Sequence, residues 1–103
     1  MNPAVDGAAR QGLRRRSKVL FGNADRLEVV DAVGRSSGGV VHAQELSNQL
    51  GISPPRVRAQ LLALVEAGLL VSLPRHGSVQ NYERVDDIFW ESVCAVVADW
   101  SGR

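Results

Sequence analysis

Few side chains in this sequence could do chemistry, and apart from the arginines they are scattered. Cys94 is the single cysteine, and His42 and His76 stand alone. One thiol excludes an internal disulfide and a cysteine-cluster zinc site. Two separate imidazoles cannot build a tetrahedral metal site within one chain. The sequence has no glycine-rich phosphate loop, no nucleophile elbow and no metal-histidine pair. Neither catalysis, nor a metal, nor a cofactor is therefore expected. Asp86-Asp87 precedes an apolar run, where carboxylates cap a helix and complement its dipole. Cys94 sits among apolar residues and reads as an inert buried thiol, with a redox switch as the sharper alternative. The arginines are more informative. Arg14, Arg15 and Arg16 run together with Lys18 close behind; Arg56 and Arg58 precede Gln60; Arg75 adjoins His76. Guanidinium groups neutralise phosphates and pair with guanine, and a glutamine amide pairs with adenine.

The net charge of +1 hides a sorting along the chain. Residues 1–22 sum to +4, residues 23–52 to −2, residues 53–84 to +2 and residues 85–103 to −3. A basic arm and a mildly basic middle on an otherwise acidic body is the charge pattern of a nucleic-acid face.

The elements that must position these groups follow from apolar spacing. The 103 residues form one domain, with ordinary globular composition that argues against disorder. Residues 1–12 carry few large apolar groups and read as a flexible arm, leaving 13–103 as the domain. Leu13 to Phe21 extends a first helix. Leu27, Val30 and Val33 recur at helical spacing in a second. The stretch 34–39 is a loop, and Val40-Val41 a short strand. Ala43 to Leu50 forms a short helix stopped by Gly51. Ser53-Pro54 starts the next, which turns Val57, Leu61, Leu64 and Ala67 inward and stops at Gly68. Residues 69–85 form a hairpin around the turn at 74–78, and a last helix covers about 86–100.

The stretch Ala43 to Leu70 (AQELSNQLGISPPRVRAQLLALVEAGLL) orders these parts as helix, tight turn, helix and hairpin. Here the sequence resembles the ArsR-like and MarR-like winged helix-turn-helix regulators of bacteria. The resemblance rests on Glu45-Leu46, Leu50-Gly51-Ile52-Ser53, Val57, Leu61, Leu64 and Ala67-Gly68-Leu69-Leu70, with Arg26-Leu27 upstream, and covers about residues 20–84. It implies a mainly α fold with a small β-hairpin wing. It also implies binding of double-stranded DNA, with helix 53–67 in the major groove and the wing on the backbone or minor groove.

The expected DNA contacts are Ser53, Pro55, Arg56, Arg58, Ala59 and Gln60 on that helix, and Arg75 and His76 on the wing. Arg14, Arg15 and Arg16 of the basic N-terminal segment join them, with Lys18 and Arg84 as further phosphate partners. Pro54-Pro55 stands where such regulators usually carry polar residues, so direct readout rests on Arg56, Arg58 and Gln60. Leu62 and Val65 lie off the inward face and are expected to pack under the hairpin or the first helix.

The last helix is apolar on almost every side, and such a helix must be covered all round. A second copy is the expected cover, giving a dimer through the N- and C-terminal helices. Leu20, Phe21, Phe89, Trp90, Val93, Val97 and Trp100 are the expected interface. The function expected is a sequence-specific transcriptional regulator, a repressor that occupies its operator. The alternatives are a protein-interaction module and a low-specificity architectural DNA binder. No apolar run approaches a membrane span, and no apolar core follows the basic N-terminus as in a secretory signal, so a cytoplasmic location is expected.

Overall fold

The computed structural model describes residues 7–102. Helix α1 spans Gly7–Phe21 and α2 Arg26–Arg35; a 3-10 turn at Ser37–Gly39 leads into β1, Val40–His42. Helices α3, Ala43–Leu50, and α4, Pro54–Glu66, follow. Strands β2, Leu70–Ser72, and β3, Asn81–Arg84, form the wing, and α5, Ile88–Ser101, closes the chain. This is the architecture of a winged helix: mostly helical, with one small antiparallel sheet.

The sheet has three strands in the order β1-β3-β2. Val41 and Ser72 flank Tyr82 across it, while Val40 and Val71 flank Glu83. The period-2 alternation sends Val41 and Tyr82 into the core and leaves Val40, Val71 and Glu83 outside. The Val40-Val41 step thus becomes the third strand of the wing.

The core gathers under the turn between α3 and α4. Leu46, Ile52, Val57 and Leu61 are almost wholly buried and meet Val29 and Val33 of α2, Val41, Leu70, Tyr82 and Trp90. Gly51 has φ +68° at the C-terminus of α3, and its N–H donates to Ser47 O at 2.8 Å. That left-handed conformation favours glycine and lets the chain reverse within a few residues. Ser53 opens α4 through its backbone: its carbonyl accepts from Val57 N at 3.0 Å, while its hydroxyl makes no capping bond. Pro54 fits the first turn, where its missing N–H would have had no helical partner. Asp87 caps α5, its carboxylate accepting from Phe89 N at 2.8 Å.

A second cluster joins α1 to the rest. Leu13, Leu27 and Val97 bury together, with Val93 and Trp100 against them. Ser17, fully buried, fixes the bend between α1 and α2: its hydroxyl donates to Asn23 O at 2.6 Å and accepts from Leu27 N at 3.1 Å.

Two expectations are corrected here. Residues 7–12 belong to α1 rather than to a flexible arm, and residues 1–6 lie outside the described residues. Arg10 supplies the reason: its Nε donates to Glu28 Oε2 at 2.6 Å and its Nη2 to the carbonyl of Leu50, which ties the start of α1 to α2 and α3. Trp90 and Val97 are not free for a partner. Trp90 is buried in the main core with its indole N–H on Val85 O at 3.0 Å, and Val97 in the second cluster. The expectation failed because an apolar sequence does not say which sides of a helix its own chain covers. Val93, Phe89 and Trp100 are half-buried, whereas Leu20 and Phe21 are exposed.

Candidate nucleic-acid interface

Helix α4 presents Pro55, Arg56, Arg58, Ala59 and Leu62 to solvent, while Val57, Leu61 and Leu64 hold it to the core. Helical periodicity sorts these two sets onto opposite sides. The outward side therefore carries two guanidinium groups beside a short apolar stripe, with Ser53 exposed just ahead. The wing tip places Arg75 and His76 in solvent. Its turn is closed by reciprocal backbone bonds between His76 and Val79, at 3.1 and 3.0 Å.

Gln60 is not part of this surface. It is buried, and its Oε1 accepts from Arg26 Nε at 3.0 Å. Position 60 lies three residues after Val57 and four before Leu64, which puts it on the inward side. The amide is tolerated there because α2 supplies a partner. Leu62 departs from expectation in the other direction. It is 52% exposed rather than packed under the hairpin, while Val65 is half-buried against the core.

Electrostatics divide the arginines further. Asp25 and Glu28 at the start of α2 are both buried. Three arginines converge on them. Arg56 donates from Nε to Asp25 Oδ2 at 3.0 Å and from Nη2 to Oδ1 at 2.6 Å. Arg14 donates to Asp25 Oδ1 at 3.1 Å and to Glu28 Oε1 at 2.8 Å, and Arg10 takes the other Glu28 oxygen. Burial pushes the Asp25 carboxyl up, but the hydrogen bonds and charge of Arg56, then those of Arg14, outweigh it and hold the group below the ordinary aspartate range.

Arg14, Arg15 and Arg16 consequently do not form one patch, because successive helical residues point about 100° apart. Arg14 turns into the α1–α2 seam and Arg15 faces solvent; the Arg16 guanidinium lies 4.8 Å from the centre of the Trp100 ring. Lys18 donates to Gly22 O at 3.3 Å. Arg84 caps the end of α2, with Nη1 donating to Val33 O at 3.0 Å and to Gly34 O, which complements the negative end of that helix.

Sequence reasoning singled out neither Arg10 nor Asp25. Their partners lie 11 to 40 residues away, and no local spacing signals such pairs.

Cys94 faces α2, where its thiol donates to Asp31 O at 3.8 Å. An alanine at Gly34 would place its Cβ 2.6 Å from that sulfur, so the glycine sets how closely α2 and α5 approach. Burial pushes the thiol pKa up, and the Asp31 carboxylate adds to it. The nucleophile is the thiolate. The disulfide reagent DTNB at pH 8 should therefore react with the folded protein at least ~10-fold more slowly than with the protein unfolded in denaturant. Equal rates would show that Cys94 is open and reactive.

Among the described residues no helix is long and apolar enough to cross a membrane, and no three His, Cys, Asp or Glu residues cluster to hold a metal ion. Comparison with curated proteins gives no match. Residues 23–72 match the family model described as "Bacterial regulatory protein, arsR family". The matched segment runs from the turn before α2 to the end of β2 and includes α3, the Gly51 turn and α4. An ArsR-type helix-turn-helix, and with it a DNA-binding transcriptional regulator, is what this match and the winged-helix fold together support.

Proposed function

We propose that this protein is a dimeric, cytoplasmic repressor that occupies a two-fold operator in double-stranded DNA. Helix α4 enters the major groove with Pro55, Arg56, Arg58 and Ala59, and Ser53 lies against a phosphate at its N-terminus. The wing brings Arg75 and His76 to the backbone or minor groove, and Arg15 supplies a further positive charge. The carrying observation is the outward side of α4, where Arg58 is exposed and makes no hydrogen bond or ion pair among the described residues. The dimer is supported by apolar side chains left in solvent on the two terminal helices: Val19 at 75%, Leu20 at 59% and Phe21 at 48% on α1, and Ile88 at 77% and Val96 at 39% on α5.

The test is binding of purified protein to labelled fragments of its own upstream region, titrated in salt against a random-sequence competitor. Binding that survives the competitor and weakens steeply with salt is expected. Arg58→Ala should lower affinity about 10-fold or more, as loss of a bidentate base contact does. A folded protein that binds no fragment at low salt overturns this reading. One observation favours a second reading: Leu62 exposes an apolar group on the same side of α4. A protein-interaction module would use it, and its binding would persist as salt rises.

A further inference from the structure

We infer that Asp25 is a positioning residue for DNA recognition, acting through Arg56. This rests on α4 being the DNA-reading helix. A guanidinium presents five N–H donors in a rigid fork. Asp25 engages one edge of it, Nε–H and one Nη2–H, at 3.0 and 2.6 Å. The other edge, with both Nη1 donors and the second Nη2 donor, is left for a partner outside, and the Arg56 side chain is 52% exposed. That free edge has the shape that forks onto the O6 and N7 acceptors of guanine.

The carboxylate itself is immobilised. Asp25 is the N-cap residue of α2, where its carbonyl accepts from Val29 N at 3.1 Å and its N–H donates to Asn23 Oδ1 at 2.8 Å. Its Oδ1 also accepts from Arg14 Nη2 at 3.1 Å. The carboxylate is thus fixed to α2, and α2 aims an arginine of α4. An arginine already held in one rotamer loses less freedom on binding, and its fork meets the base at a set angle.

Simple electrostatics predicts the opposite of positioning. A buried negative charge behind the DNA face repels phosphates, so removing it should tighten binding to every duplex. Positioning requires that removing it damages recognition of the preferred sequence.

The experiment uses the duplex that the wild-type protein selects from a randomised pool, and a random duplex as reference. The ratio of the two affinities is measured for the wild type, Asp25→Asn, Arg56→Ala and the double variant. Asp25→Asn should lower the ratio about 10-fold, a typical base-contact effect, while affinity for the random duplex holds or rises. In the Arg56→Ala background the same change should lower the ratio no further. Arg56→Lys keeps the charge at an exposed site but lacks the planar fork, so it should lose the ratio as Arg56→Ala does; it tests, even if Asp25→Asn fails to fold, the fork on which the inference depends.

An unchanged ratio in Asp25→Asn, an equal loss on both duplexes, an undiminished loss in the Arg56→Ala background, or a retained ratio in Arg56→Lys each overturns the inference alone. Absence of DNA binding by the wild type overturns the DNA reading, and this inference with it.

Discussion

Leu61→Ala is expected to lower the unfolding free energy by about 2–5 kcal/mol, the usual range for truncating a buried leucine. Leu61 is fully buried, halfway along α4, in the cluster that joins that helix to α3, the wing and α2. Truncation would leave a cavity where these elements meet, because a packed core relaxes only partly around a lost side chain. A domain of this size shifts its Tm by about 4–8 °C for each kcal/mol, so thermal unfolding followed by circular dichroism reads the effect directly. The informative control is the next residue. Leu62→Ala removes the same atoms from a side chain that is 52% exposed, and its effect should stay within about 0.5 kcal/mol. Similar losses at both positions would show that the rotation of α4 about its axis is wrong, and with it the set of residues assigned to the DNA face.

That rotation also measures what the sequence could tell. The ends of α3 and the start of α4 were legible because local chemistry sets them: a glycine after Leu50, then serine and proline. The inward residues Val57, Leu61 and Leu64 were legible because burial follows helical periodicity. Gln60 was misread for a physical reason. A glutamine is ordinarily assigned outward, and only Arg26, 34 residues away, makes its burial tolerable. The arginines repeat the lesson. Composition marked Arg14 and Arg84 as phosphate partners, yet Arg14 pairs with buried carboxylates at the start of α2, and Arg84 bonds to carbonyls at the end of that helix. Charge counting gives the amount of basicity in a segment but not the fraction left for a ligand. Helix α5 shows the same limit for apolar residues. Its sequence demanded cover on all sides, and the fold supplies cover for Trp90 and Val97 while leaving Ile88 and Val96 in solvent.

The two buried carboxylates of α2 give these pairings a common purpose in the fold. Through Arg10 and Arg14 they fasten α1, and through Arg56 they fasten the first turn of α4. Two segments that would each present positive charge are thereby drawn together around α2. The basicity that remains outside includes Arg58 on α4, Arg75 on the wing, Arg15 on α1 and the free edge of Arg56.

The second large effect concerns the apolar ends of α1 and α5. Leu20→Glu combined with Phe21→Glu is expected to convert a dimer into a monomer and to weaken binding to a two-fold DNA site by about 100-fold or more. Val19, Leu20 and Phe21 close α1 beside the bend fixed by Ser17 and are among the largest apolar groups that the fold leaves in solvent. Leu20 and Phe21 contribute little to the monomer's core, so the two charges should leave its melting curve nearly unchanged while removing the interface they would form. The size of the DNA effect comes from linkage: joining two reading heads makes the second contact intramolecular and raises avidity by about 100- to 10,000-fold over one head. Sedimentation gives the assembly state, and titration of whole and half operator duplexes gives the affinities. Whole-site affinity should fall to that of the half-site. A variant that still sediments as a dimer would move the interface away from the end of α1, and a monomer that keeps whole-site affinity would mean that one copy reads the DNA alone.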